Sequence, residues 1–168
     1  MAAPYWDLRR KVADRVQKCL IANSGGKLVD PSTWEGTESQ VPVRVGFTAD
    51  SLDTLPVIVV VCDKSSKTFS EVSAQDDNTR TVIGRVVIKT PTDTGVITSD
   101  ETPPEDVHNH WVAVAYDILN QSDIISLLQA GAVTDCTVQA FDLTDETQDV
   151  QGNVFISTHE FEAVAMPQ

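Results

Sequence analysis

The chain has 168 residues and a formal net charge of −13 at pH 7. A chain of this length fits one domain and buries enough surface to fold without disulfide bonds or structural metals. No apolar run approaches the roughly 20 residues of a membrane span, and the charged N-terminal residues lack the apolar core of a secretory signal. We therefore expect a protein without a membrane segment that works where it is made.

The charges are unevenly distributed along the chain. All 12 Lys and Arg residues lie at or before Lys89, whereas 14 of the 25 Asp and Glu residues follow it. Sequence-specific DNA binding through the second half is disfavoured, because phosphate contacts need cations. The asymmetry has two interpretations: it serves solubility alone, or it makes a polar molecule that joins unlike surfaces and an acidic wall to which polyanions do not bind.

The three cysteines, Cys19, Cys62 and Cys136, are far apart in sequence and form no C-x-x-C pair. An odd number at such spacing argues against a disulfide framework or a zinc site. We expect three reduced, mostly buried thiols.

The first half of the chain predicts one helix and three strands. Residues 5–22 place apolar side chains at helical spacing, and residues 41–90 contain three β-rich runs. The run 57–61 consists of five β-branched residues, which is typical of a central strand buried on both faces. The polar segments 27–40 and 63–80 are interpreted as loops, the second of them as an extended hairpin tip.

The segment 103–131 predicts a helix pair. Thr102 and Glu105 have the spacing of a capping box, and an apolar stripe follows at helical spacing, formed by Val107, Trp111, Val114, Ala115, Ile118 and Leu119. Ser122 is the candidate cap of the short second helix, and Gly131 its stop.

Residues 134–164 predict a closing β-hairpin with strands at 134–143 and 153–164 and an acidic turn at 144–152. The whole element order predicts a single α+β domain. We expect a mixed or antiparallel sheet of about five strands, on which the N-terminal helix and the central helix pair lie.

No known catalytic motif is present in the sequence, and the histidines form no ligand pattern. His108 and His110 are two positions apart on a helix, so they point to different sides, and we interpret both as solvated rather than metal-binding or catalytic. The lone His159 is interpreted as a packed or surface-polar strand residue. The acidic residues are interpreted as solvated surface, and no cofactor, metal or catalytic residue is expected.

The order of elements resembles a known family. An amphipathic N-terminal helix, Val-rich strands, a polar tip, a helix containing the stretch His110–Tyr116, a short second helix and an acidic hairpin follow one another from Tyr5 to about Ala165. This arrangement resembles the tail terminator proteins of tailed bacteriophages, also called minor tail or tail-completion proteins. The resemblance lies in the order of the helices and strands and in their residue composition.

The resemblance implies a virion protein of the tail and neck, assembled in the host cytoplasm. Such proteins form a hexameric ring that caps the tail tube, stops its polymerisation and offers a surface to a neck or head-closure protein, while DNA passes through the hole and no reaction is catalysed. Two sets of residues become candidates on this interpretation. The subunit or neck interface would use Arg9, Arg10, Lys11, Arg15 and Lys18. The lumen or a partner-facing surface would use Asp142, Asp145, Glu146 and Asp149.

Other interpretations remain open. The chain would equally suit another neck or head-tail joining protein of a virion. A small α+β enzyme or ligand-binding domain, with a site built from Asp, Glu and His, is a third class. The basic helix face also has a simpler interpretation as a solvated surface with i, i+4 ion pairs such as Asp14 with Lys18.

Overall fold

A computed structural model describes residues 4–36, 39–46, 54–67, 79–92, 102–130 and 136–167. These residues form three α-helices, one 3-10 turn and six strands. The helices are α1 (Pro4–Ala22), α2 (Pro104–Leu119) and α3 (Ile124–Leu128). The strands are β1 (Leu28–Val29), β2 (Val41–Gly46), β3 (Val57–Lys67), β4 (Arg80–Pro91), β5 (Cys136–Gln151) and β6 (Val154–Pro167).

The six strands form one mixed sheet in the order β1-β2-β3-β4-β6-β5. β1 pairs with β2 and β2 with β3 in parallel, and the remaining neighbours are antiparallel. The predicted α+β class with a mixed sheet is confirmed. The predicted count of about five strands is wrong, since the described part of the chain already contains six.

Helix α1 covers one face of the sheet, which we call the front face. Its side chains Leu8, Val12 and Val16 are at most 1% exposed. The helix packs chiefly over β3, and it contacts β2 and β6 to a similar, smaller extent. The side-chain amide of Gln17 donates a hydrogen bond of 2.7 Å to the carbonyl of Val43 in β2. This hydrogen bond links α1 to β2 in an interface that is stabilised mainly by burial of apolar side chains.

Strand β3 is buried on both faces, as the β-branched run predicts. Ile58 and Val60 face the core under α1, whereas Val57, Val59 and Val61 cluster with Val87 on the opposite, back face. The five residues of the run are 0–4% exposed. The position of β3 between β2 and β4 explains why no residue of this run is polar.

Helix α2 begins at Pro104, with Pro103 at the cap position and no side-chain capping bond. The predicted capping box is therefore absent, and α3 likewise starts after Asp123 without the predicted Ser122 cap. The central segment is also not the predicted helix pair, because α3 packs chiefly against β5 and α1. Gln129 supports this placement by accepting a 2.6 Å hydrogen bond from the backbone N–H of Val138. Gly131 lies outside the described residues.

Strand β5 overturns the predicted acidic turn. It continues through residues 144–151, and the hairpin closes in a tight turn at Gly152, whose φ of +60° suits glycine. Apolar and polar residues do not alternate in the segment 144–151. The reason is that β5 is the last strand of the sheet and both of its faces are exposed to solvent there. Pairing with β6, rather than local composition, makes it a strand.

The predicted loop 27–40 contains strand β1 and a 3-10 turn at Pro31–Thr33, so the prediction of an unstructured loop is wrong there. In the other predicted loop, β3 extends to Lys67 and β4 begins at Arg80, and residues 68–78 lie outside the described part. No helix within the described ranges combines the length and apolar character needed to cross a membrane.

Candidate functional site

The cationic residues of α1 do not form one uniform surface. Arg10 and Lys18 are exposed, Arg9 and Lys11 are half-buried, and Arg15 is 9% exposed. Arg9 and Arg15 also make interactions within the chain. Arg10 and Lys18 are therefore the main cations that α1 exposes to a partner, and Lys11 is partly exposed as well. Arg15 belongs to the interior of the fold.

Arg10 also takes part in the i, i+4 ion pair of this helix. Its Nε atom lies 3.3 Å from a carboxylate oxygen of Asp14. The Arg10 side chain remains 55% exposed, so the pair is solvated and contributes little to folding. The cation stays accessible to an acidic partner surface. Asp14 therefore pairs with Arg10, and the predicted ion pair of Asp14 with Lys18 is not the one that forms.

The four candidate acidic residues all lie on β5 and are all exposed. The strand register places Asp142, Asp145 and Asp149 on the back face, opposite Glu162, Glu160 and Ile156 of β6. Glu146 lies opposite His159 and faces the front. The structure thus brings three of the four carboxylates onto one face of the edge strand, and separates the fourth.

A β-bulge produces this alignment. The register of β5 against β6 shifts between Leu143 and Asp145, which leaves Thr144 without a partner position. One extra residue reverses the facing of everything after it, so Asp145 joins Asp142 on the back face. Sequence alternation alone would assign these two aspartates to opposite faces.

Carboxylates face each other across the hairpin. Asp142 is directly opposite Glu162, and Asp145 is directly opposite Glu160. Like charges in opposed positions of a sheet are destabilising. In the second row, Arg85 of β4 lies beside Glu160 and supplies a compensating cation. In the row of Asp142 and Glu162 the β4 position is the apolar Ile83, and the cation of that row, Lys64 of β3, lies two strands away from Glu162.

Two aspartates also cover the backbone of β5. Asp145 accepts a 2.8 Å hydrogen bond from the N–H of Glu146, and Asp149 accepts one of the same length from the N–H of Val150. N–H groups bonded in this way are not offered to an incoming strand, and charge on an edge strand discourages strand addition further. This edge is suited to contact a partner through carboxylates rather than by backbone pairing.

The interpretation of His108 as a solvated residue is wrong. The residue is 3% exposed, and its ring joins α2 to the two strands beneath it. Nδ1 lies 2.7 Å from the hydroxyl of Thr90 in β4, and Nε2 lies 2.7 Å from the hydroxyl of Ser157 in β6. Burial lowers the pKa of His108 from 6.5 to about 4. The neutral ring therefore donates one of these bonds and accepts the other.

The Ser157 hydroxyl and the His108 imidazole have the contact of a nucleophile–base pair, but no carboxylate orients the ring. Thr90 occupies the place on Nδ1 where a carboxylate would orient a catalytic imidazole, and both Thr90 and Ser157 are 0% exposed. A small cleft of about 170 Å³ opens above, lined by Glu105, Gln148 and Phe155 among others. In this arrangement the cluster acts as a polar clamp between helix and sheet.

The other two histidines, His159 and His110, differ in burial. His159 is 1% exposed and its Nε2 lies 3.3 Å from the carbonyl of Val112, so the interpretation as a packed strand residue is confirmed. His110 is exposed, as expected, with its ring on the edge of Trp111. Within the described ranges, no three His, Cys, Asp or Glu side chains are grouped closely enough to hold a metal ion.

The buried histidine had a signal in the sequence. The buried positions of α2 are His108, Trp111, Val112, Ala115, Ile118 and Leu119. This is one continuous stripe at helical spacing, and it is complete only if histidine is counted with the apolar residues. The predicted stripe instead used Val107 and Val114, which are half-buried at its border.

Neither the models of protein families nor the curated proteins match this sequence.

Proposed function

We propose that the chain is a structural virion protein, a tail terminator that assembles into a homohexameric ring on the end of the phage tail tube. The ring stops tube polymerisation, joins the tail to a neck or head-closure protein and lets DNA pass through its lumen. No reaction is catalysed and no cofactor is bound. The family resemblance is the origin of this proposal, and the distribution of charged side chains over the fold supports it.

The observation that carries the proposal is the separation of opposite charges across the sheet. Helix α1, with its exposed Arg10 and Lys18, covers the front face of the sheet. The carboxylates of Asp142, Asp145 and Asp149 on the edge strand β5 face the back. A molecule with unlike surfaces on its two faces associates head to tail, and a head-to-tail contact that closes on itself forms a ring.

The uncompensated carboxylates on β5 also favour a cationic partner. Asp142 and Glu162 repel each other in the isolated chain, and a cation from a neighbouring subunit would relieve that repulsion. We therefore assign the α1 surface and the back face of β5 to the two sides of one subunit interface. Glu146, which faces the front, is left for the lumen or for a neck partner. An acidic lumen would keep DNA phosphates from binding.

The direct test is to image the purified protein by negative-stain microscopy and to measure its mass by mass photometry, alone and with the tail-tube protein. Rings of six copies on the tube end, and tubes of limited length, are the expected result. A protein that neither forms rings nor alters tube growth would overturn the proposal. Tight binding of duplex DNA at moderate salt would also contradict it.

The interface is tested by reversing its charges. Arg10→Glu with Lys11→Glu is expected to prevent ring assembly, and so is Asp142→Lys with Asp145→Lys. Lys27→Glu is the matched control, because Lys27 is an exposed cation between α1 and β1 and belongs to neither assigned surface. Intact rings in both reversed variants would remove the assigned interface and leave the ring itself in place.

Mixing the two reversed variants gives a sharper result. In an equimolar mixture, the acidic helix of one variant meets the basic strand of the other, and the basic helix meets the acidic strand. Rings of alternating subunits are therefore expected from two proteins that do not assemble separately. Failure of the mixture to assemble, with both variants folded, would contradict a direct helix-to-strand contact.

A ligand-binding domain is the second candidate, and the cleft above His108 and Ser157 is the observation that favours it. A thermal-shift screen with divalent metals and nucleotides separates it from the first. A reproducible rise in melting temperature with one ligand class would support it.

A further inference from the structure

Within the described ranges, no helix lies over the front face of the second half of β5. The front-facing residues there are Glu146, Gln148 and Val150, and all three are exposed. The first part of the strand differs, because α3 and α1 pack against β5 and its residues Cys136 and Val138 are buried. The layer of helices on the front of the sheet is therefore open above 144–151, beside α2. We call this surface the open position.

The open position has room for one further helix. Neighbouring strands of a sheet lie about 4.8 Å apart, and packed helices lie about 8–10 Å apart. Helix α2 packs over β4 and β6, and β5 is the next strand in the sheet. A helix packed beside α2 would therefore lie over β5, where it would complete the helix layer.

An exposed apolar side chain borders the open position at each end. Val150 is 56% exposed and lies opposite the half-buried Phe155. Tyr116 of α2 is 39% exposed, and its ring centroid is 5.8 Å from that of His159, the residue opposite Glu146. In the described part of the chain, these two are the exposed large apolar side chains. Their placement along one surface is typical of an interaction site.

The ionised side chains around the open position are negative. Glu105 of α2 lines the cleft of about 170 Å³ at the Val150 end, and Glu146 lies at the Tyr116 end. Both glutamates are exposed. The three elements that form this surface, α2, β5 and β6, contain no Lys or Arg, since all 12 lie at or before Lys89. A complementary partner therefore supplies the cations itself.

We propose that the open position binds an amphipathic helix of a partner protein. An apolar stripe of that helix contacts Val150, Phe155 and Tyr116, and Lys or Arg residues beside the stripe meet Glu105 and Glu146. The rows of Glu146 and Val150 are about 13 Å apart along β5, a span that roughly two and a half turns of helix cover.

The edge of β5 favours a helix over an added strand. The N–H groups of Glu146 and Val150 already donate to the side chains of Asp145 and Asp149, so they are not offered to a pairing backbone. The inference does not rest on the proposed ring, because it uses the front face of β5 and the ring contact uses the back face. It assigns Glu146 to a protein partner.

The probe is a fluorescein-labelled synthetic peptide of about 12 residues, with leucines at i, i+3, i+4 spacing and lysines on the opposite face. A scrambled peptide of the same composition keeps the charge and loses the apolar stripe. Affinities for the full chain are measured by fluorescence anisotropy at physiological ionic strength. The amphipathic peptide is expected to bind about tenfold more tightly than the scrambled one, because only its leucines can cover the apolar side chains together.

Variants separate the apolar and the charged parts of the surface. Val150→Ser is expected to weaken binding of the amphipathic peptide about fivefold, and so is Glu105→Gln combined with Glu146→Gln. Glu162→Gln is the matched control, because Glu162 is an exposed carboxylate on the back face of the same hairpin, and its affinity is expected to stay unchanged. Melting temperatures check that each variant is folded.

The ¹H–¹⁵N spectrum of the unmutated protein locates the bound peptide. Signals of residues 146–150 and of the exposed Asn109 on α2 are expected to shift, and those of α1 are not. This measurement needs no variant, so it tests the proposal even where a substitution impairs folding.

Three results would overturn the proposal. Equal binding of the two peptides would mean that the surface attracts positive charge alone. Shifts confined to α1 or to the back face of β5 would place the peptide elsewhere. A change in the mass of the chain's own assemblies on Val150→Ser would identify a second copy as the occupant. The first two results leave the proposed ring untouched, because they concern the front of β5 only.

Discussion

The imidazole Nε2 of His108 lies 2.7 Å from the hydroxyl of Ser157, a residue 49 positions further along the chain. The same ring contacts the hydroxyl of Thr90 through Nδ1. Because Thr90 and Ser157 lie on neighbouring strands, one side chain of α2 holds the helix over β4 and β6. A polar clamp of this kind fixes the position of a helix that apolar packing alone would leave free to slide.

Replacing His108 by leucine is expected to destabilise the protein by about 2 kcal/mol, because two buried hydroxyl groups lose their partner. The free energy of unfolding is measured by urea denaturation. His110→Leu, at an exposed position on the same helix, is the control and is expected to stay within about 0.5 kcal/mol of the parent. Equal stability of the two variants would contradict the clamp.

Stability is expected to fall as the pH is lowered from 6.5 towards 4. The pKa of His108 is lowered by burial from 6.5 to about 4, so the unfolded chain binds the proton more readily than the folded one in this window. The contribution is fully present above pH 6.5 and is lost as the pH falls, by about 3 kcal/mol at most.

The measurement is urea denaturation at several pH values for the parent and for His108→Leu. The carboxylates common to both proteins contribute equally, so the difference between the two profiles isolates the histidine. Parallel profiles between pH 4 and 6.5 would show that His108 is not the group responsible.

Gly84→Ala is expected to destabilise the fold by about 1–3 kcal/mol. Gly84 lies between Cys62 of β3 and Phe161 of β6, and an added Cβ would overlap the Phe161 ring and come within 2.8 Å of the Cys62 sulfur. Thermal denaturation of the variant measures the effect. Adding Phe161→Leu should reduce the cost of the alanine, and purely additive effects would argue against the overlap.

The three cysteines are expected to react slowly with a thiol reagent such as DTNB at pH 8. All three are reduced and buried, which restricts access of the reagent. Burial also raises the pKa of Cys19 to about 11, so this residue carries little thiolate at pH 8. The count of fast-reacting thiols should rise from none in the folded protein to three in denaturant. Rapid labelling of the folded protein would contradict the described burial.

Much of the fold could be predicted from local patterns. The β-branched run 57–61 predicts a central strand, and the structure buries both of its faces. The apolar positions of α1 likewise identify which side chains reach the core. These predictions succeed because a residue that faces the core must be apolar wherever the element lies.

The candidate site was less accessible to sequence reasoning. His108 reads as a polar residue in a first helical turn, and only the hydroxyls of Thr90 and Ser157 beneath it make its burial favourable. The acidic stretch 144–151 reads as a turn, and only pairing with β6 makes it a strand. Both depend on partners that are distant in the sequence.

The sequence by itself determined the α+β class, the reduced and buried cysteines, and the concentration of cations before Lys89, since each follows from composition and short-range periodicity. Only the tertiary structure decided the strand order, the facing of Asp142, Asp145 and Asp149, and the partners of His108. The physical reason is that sheet register, a single β-bulge and long-range hydrogen bonds depend on which segments meet in space, and local residue patterns do not contain that information.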